Sequence, residues 1–128
     1  MTPNPEQSER LLALAARCEA ADPAAPNIDL HMEILRALGW ISRGAELIDP
    51  QGQRCMQTPD PLHSIDGAMT LIPAQYRLGT LMEFDGEGRW AAKLFNRGKP
   101  GGLPAAGGAS AALALCVACL RARAGDGA

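Results

Sequence analysis

Leu11, Leu14, Ala15 and Cys18 repeat at the i, i+3, i+4, i+7 spacing of a helix face, while Glu9, Arg10 and Arg17 fall elsewhere, so Glu6 to Ala21 reads as an amphipathic helix. Two prolines and two turn formers in Asp22-Pro23-Ala24-Ala25-Pro26-Asn27 end it. A second helix follows from Ile28 to Leu38. Its apolar arc is Ile28, Ile34, Leu35 and Leu38, with Asp29, Glu33 and Arg36 opposite and Gly39 as its stop. From Trp40 to Pro61 the pattern fades: Asp49-Pro50-Gln51-Gly52 is a turn, residues 45–48 suit a brief edge strand or an ordered loop, and the stretch reads as mostly irregular. Ser64 then fits the N-cap of a short helix with Ile65, Met69 and Ile72 on one face and Pro73 at its end.

The period next drops from 3.6 to 2. Tyr76, Leu78, Thr80, Met82 and Phe84 alternate with Arg77, Gly79, Leu81 and Glu83. After the turn residues Asp85-Gly86-Glu87-Gly88, residues 89–96 alternate again, Trp90, Ala92 and Leu94 against Ala91 and Phe95, which predicts an antiparallel hairpin, 76–84 with 89–96. Residues 97–109 hold five glycines and two prolines and read as a flexible surface loop. Ser110 is placed to cap a last helix, 111 to about 123, which is apolar on every side for ten residues and therefore belongs inside the fold, with 124–128 fraying. Both faces of the hairpin carry apolar residues. The expectation is thus a single α+β domain: a small antiparallel sheet with helices packed on both faces, an α/β/α sandwich.

Composition narrows the function classes. With 12 basic and 14 acidic residues, the chain lacks the positive field on which general nucleic-acid binding rests. The longest apolar run, Ala111 to Leu120, is about half of what a bilayer requires, and Met1 to Arg10 does not read as a secretory leader. Four cysteines in a chain rich in Ala, Leu and Ile read as reduced core thiols rather than a disulfide framework.

Ser64-Ile65-Asp66-Gly67-Ala68-Met69-Thr70-Leu71-Ile72-Pro73, the Tyr76 hairpin, the Gly-rich loop and the Ala112-to-Arg123 helix together resemble a family of small phage and prophage proteins, the phage ABA-sandwich domain family. Residues 11–21 and the Gly39-Trp40 pair share the likeness, which spans most of the chain outside 41–60. The chain departs from the family pattern at Leu62-His63 and at Ala109-Ser110. The resemblance implies a layered fold and a phage accessory protein in the cytoplasm of a bacterial host.

Candidate chemistry is sparse. Cys116 and Cys119, three apart, would need Cys18, His31 or His63 to complete a zinc set, but an Ala-Leu-Val helix is a setting in which cysteine packs as a small hydrophobe, so no metal is expected. Cys55 has no basic cluster to activate it. His31 falls in the apolar arc of the second helix, and His63 reads as solvated beside a helix start. Gly98-Lys99-Pro100-Gly101-Gly102 lacks P-loop spacing, yet a Gly-rich loop leading into a helix start can wrap an anion, with Arg97, Lys99 and the Ser110 hydroxyl at hand. Arg77, Arg89 and Lys93 form a basic strip on the hairpin; Tyr76 and Trp90 are its aromatic anchors, and Ser64 and Asp66 open the third helix. These residues are the candidate binding set. The expected function is non-enzymatic binding, of a host protein or a nucleotide-like small molecule, with no cofactor and with homo-oligomerisation open; the alternative is a structural or assembly role.

Overall fold

The computed structural model describes residues 5–44, 46–55, 57–83, 86, 88–98 and 102–125. In chain order these form α1 (Pro5–Glu19), α2 (Ile28–Ala37), β1 (Ile41–Arg43), β2 (Glu46–Ile48), β3 (Arg54–Cys55), α3 (Ile65–Met69), β4 (Tyr76–Glu83), β5 (Trp90–Asn96), β6 (Ala106–Gly108) and α4 (Ala111–Gly125). The strands make two antiparallel sheets, β1-β2-β3 and β4-β5-β6. The α+β class, with small antiparallel sheets packed with helices, is as the sequence implies.

Twelve of the fifteen residues of α4 are buried, so it can only be a middle layer. Ala111, Ala112, Ala114, Ala118 and Ala122 keep the helix thin enough for neighbours to approach from every side, and Leu113, Leu115, Val117 and Leu120 fill the space between them. The β4-β5-β6 sheet packs against it on one side, and α1 and α3 pack elsewhere around it, with α2 behind α1. The sandwich is therefore stacked sheet, α4, α1. Of the helices, only α4 packs extensively on β4 and β5, whereas the patterning of the hairpin pointed to helices on both faces.

A β-bulge explains that difference. Leu78 pairs with Leu94, but the next pair is Thr80 with Lys93, so Gly79 is the extra residue and the side-chain alternation flips behind it. Tyr76, Leu78 and Leu81 turn toward the core with Ala92 and Leu94, whereas Met82, expected beside Leu78, points outward at 50% exposure. The outer face of the hairpin then needs no helix: it carries Arg77, Thr80, Met82, Ala91, Lys93 and Phe95. Phe84 and the turn residues Asp85 and Glu87 lie outside the described residues.

Four further expectations are corrected. The stretch read as mostly irregular, 40–61, holds the three short strands β1, β2 and β3, pairing Ile41 with Ile48 and Leu47 with Cys55; the residues suggested as an edge strand are β2. No described residue from Arg36 to Asp60 is fully buried, so this sheet is an appendage to the core. The Gly-rich segment contributes β6, which pairs Gly108 with Trp90 and Gly107 with Ala91, and Gly108 lets the strand lie close on α4, since a Cβ there would meet the Ala114 nitrogen at 2.6 Å. Ile28, Ile65 and Met69, each expected on a core-facing side, are exposed; Gly67 and Ala68 are the buried residues of α3. Finally, α4 does not fray at 124, where Ala124 is buried and its carbonyl accepts from Ser8 Oγ at 2.8 Å.

The caps are where the sequence placed them. Ser64 Oγ accepts from the Gly67 amide and Ser110 Oγ from the Leu113 amide, both at 3.1 Å. Gly39, at φ 101°, closes α2 with its own amide on the Arg36 carbonyl and the Trp40 amide on that of Leu35, a Schellman arrangement that only a residue at ease with positive φ completes.

Candidate functional site

The eight binding candidates among the described residues do not converge. Tyr76 is a core residue at 6% exposure and Trp90 lies half-buried at the far end of the hairpin, both on the inward face. Arg77 is on the opposite face, and Arg89 and Arg97 are exposed just before and after β5. Ser64 and Ser110 have their hydroxyls committed as caps, Asp66 is exposed on α3, and Lys99 lies outside the described residues.

What the fold does bring together is a cleft of about 300 Å³, lined by Leu38, Trp40, Asp49, Pro50, Gln51, Pro59, Thr70, Leu71 and Arg123. Five stretches of chain build it. The Schellman turn delivers Trp40 from the end of α2. The β2-β3 turn folds back because Asp49 Oδ1 accepts from the amides of Gln51 at 3.0 Å and Gln53 at 2.8 Å, with Gly52 at φ 88°, and it comes to rest with Pro50 so near Gly39 that a Cβ there would lie 3.4 Å from that of Pro50. Pro59 enters from the segment ahead of α3, Thr70 and Leu71 from its end, and Arg123 from the last turn of α4.

Arg123 is the distinctive group. Its Nε donates to the Leu71 carbonyl at 2.8 Å, which fixes the guanidinium plane while leaving the Nη donors with no acceptor among the described residues. Burial pushes its pKa down, the sign of a cation with part of its hydration removed. Arg17, Arg54 and Arg121 each pair with a glutamate, but Arg123 meets no carboxylate among the described residues. The cleft thus sets an aromatic wall beside a guanidinium fixed at Nε, a pairing that suits a small anionic molecule with a flat ring; of its other polar members, Thr70 already donates its hydroxyl to the Gly67 carbonyl at 2.6 Å and Asp49 holds its own turn.

Beside the cleft, both histidines meet at Asp60. His63 Nδ1 lies 3.1 Å from Asp60 Oδ1 and its Nε2 lies 2.8 Å from the Ala25 carbonyl, while His31 Nδ1 is 3.6 Å from the same carboxylate and its Nε2 is 3.3 Å from Thr58 Oγ1. His63, exposed as the sequence reading expects, is also a latch between the α1-α2 loop and the segment that carries Pro59. The Ala25 carbonyl raises its pKa, partial burial works against this, and Asp60 raises it further. Partial burial pushes the Asp60 carboxyl up, but hydrogen bonds and charge attraction from His63 outweigh that and hold it low.

The sign of the pH effect follows. A raised histidine stabilises the fold fully below its ordinary value of 6.5 and loses that contribution as pH rises through the folded value; a lowered carboxyl contributes above its ordinary 3.8 and loses it as pH falls. His63→Gln is therefore expected to lower the urea midpoint at pH 5.5 and to approach the parent at pH 8.5. An equal deficit at both values would show that charge plays no part in the latch.

The cysteines carry no site. Cys18 and Cys116 face each other at 3.8 Å between α1 and α4, fully buried, and their hydrogen bond together with burial raises the Cys116 thiol well above its ordinary range. Burial pushes Cys119 up to about 12, and partial burial with the Asp49 carboxylate raises Cys55, the reverse of an activated nucleophile. Among the described residues no group of three or more His, Cys, Asp or Glu is arranged to hold a metal, and no helix is long and apolar enough to cross a membrane.

Sequence reasoning missed the cleft because its polar members are unremarkable singly. Gly39 is legible in the sequence as a helix stop, and nothing in the spacing of Trp40 and Arg123 shows that they meet. No family model, curated protein or solved structure matches the chain.

Proposed function

We propose that this chain is a non-enzymatic binding protein that takes up a small anionic, ring-bearing molecule of nucleotide-like chemistry in the Trp40–Arg123 cleft. The observation that carries the reading is Arg123, a guanidinium locked by the Leu71 carbonyl with its outer donors unanswered beside an aromatic wall. The volume, near the lower end of small-molecule pockets, suits a mononucleotide or something smaller. Trp40, Thr70, Leu71 and Arg123 all fall within the segments that resemble the phage ABA-sandwich family, which supports an accessory role in a phage programme, the capture of a host signal among them.

Thermal unfolding against linear and cyclic nucleotides, with inorganic phosphate as the ring-free probe, tests this. A ligand at 100 times its Kd adds about 2.7 kcal/mol to the folded state. Trp40→Leu and Arg123→Lys are each expected to weaken the effect at least about tenfold, the first by removing the ring contact and the second by removing the planar fork. A panel in which no nucleotide moves the transition, or one whose effect survives both substitutions, overturns the reading.

A further inference from the structure

The hairpin presents a surface that the cleft does not involve. The sheet order β4-β5-β6 puts β4 at an edge, so that along Tyr76–Glu83 every second residue turns its backbone N–H and C=O to a side with no strand among the described residues. Natural edges of this length are blunted by proline, by charge or by a bulge, and the Gly79 bulge is one such device in the first half of β4. Past the Gly79 bulge, Thr80–Glu83 is an ordinary paired strand with no proline.

The outer face beside that edge is built around one ring. Phe95 spans two glycines: a Cβ on Gly79 would overlap its Cδ2/Cε2 edge, and a Cβ on Gly102 would lie within 3.0 Å of its Cδ1/Cε1 edge. The ring therefore fills the space of two missing side chains. The Arg77 guanidinium and the Lys93 ammonium sit 5.5 Å and 5.4 Å from the ring centroid, each held by the π-system. Arg77, Arg89, Lys93 and Arg97 meet no carboxylate among the described residues, in a chain whose net charge is −2. Thr80 and the half-exposed Met82 complete the strip.

We infer that the open edge and outer face of β4 dock an extended acidic segment of a partner protein, which adds as a strand while its carboxylates meet Arg77 and Lys93 and an apolar side chain covers Met82. Strand addition supplies affinity through backbone hydrogen bonds and specificity through alternate side chains. A second copy of this chain fits less well, since the outer-face residues of β4 and β5 include no carboxylate to answer the two cations. Single-stranded nucleic acid fits less well too. Tyr76 and Trp90 face inward, and the cations already occupy the surroundings of Phe95, which leaves no row of rings for bases to stack on.

The probe is a fluorescent peptide of about ten residues alternating glutamate and valine, with the lysine-valine peptide and oligothymidylate of equal length as the other arms. The acidic peptide is expected to bind, to weaken as salt rises, and to weaken at least tenfold in Arg77→Glu and Lys93→Glu. Amide shifts in the unsubstituted protein should fall on residues 77–83 and 93–97, a readout independent of whether the variants fold. Equal binding of both peptides, tighter binding of oligothymidylate, shifts confined to other residues, or peptide-independent dimers built on β4 would each overturn the inference. Nucleotide binding in the cleft is read separately by the Trp40→Leu variant.

Discussion

Leu115→Ala is expected to destabilise the protein by about 2–5 kcal/mol, toward the upper part of that range, because the side chain is fully buried in a helix that has neighbours on all sides. A site at the margin of a core can collapse into the space left by three lost carbons. Leu115 sits in the middle layer, where inward movement on one side opens a gap on the other. A domain of this size holds about 5–15 kcal/mol in all, so the variant should unfold at a much lower urea concentration and show a markedly reduced Tm. Leu12→Ala on the exposed side of α1, where the residue is 49% exposed, is the matched control and should stay within about 0.5 kcal/mol of the parent. Comparable losses at the two positions would mean that α4 is not the central layer.

Gly67→Ala is expected to destabilise the fold by about 1–3 kcal/mol or more, although helix propensity alone favours alanine over glycine by about 1 kcal/mol. The opposing signs make the experiment decisive. A Cβ at Gly67 would lie 2.8 Å from the Asp60 nitrogen and nearer still to its carbonyl group, and these are backbone atoms that no rotamer change can move aside. The Asp60 carbonyl also accepts from the Ser64 amide at 3.1 Å, so pushing α3 away strains its own cap. Since Pro59 and Thr70 lie on the two sides of this contact and both line the cleft, the variant should also lose the nucleotide binding proposed for it. Gly107→Ala supplies the comparison: its Cβ would have only an ordinary contact, 3.7 Å to the Trp90 carbonyl oxygen, and a small effect is expected. If Gly67→Ala stabilises the protein, the close packing of α3 on the preceding segment is wrong.

Chemistry in this molecule depends on approach distances more than on reactive side chains. Gly67 admits Asp60, Gly108 admits α4, and Gly79 and Gly102 admit the Phe95 ring, so three surfaces are set by missing Cβ atoms. The same economy explains how a chain with 4% aromatic residues closes a core at all: alanine and cysteine on α4 let the backbones come close, and few large rings are needed to fill what remains.

Local pattern by itself determined the elements whose signal repeats along several turns. The face of α1 made by Leu11, Leu14, Ala15 and Cys18, the caps at Ser64 and Ser110, the stop at Gly39, the hairpin and the burial of α4 were all legible, because periodicity and capping depend on residues near one another in sequence. The strands β1, β2, β3 and β6 are two or three residues long, too short for an alternation to register, and they exist because a partner strand is beside them. The Gly79 bulge that turned Met82 outward likewise depends on β5 and on the Phe95 ring. Both histidines were visible as residues, but their meeting at Asp60 joins α2 to a segment 29 positions further on. The cleft is the extreme case, drawing Trp40, Asp49, Pro59, Thr70 and Arg123 from five stretches of chain. Only tertiary structure could assemble it, since whether distant groups converge is set by how the layers stack, which no local propensity encodes.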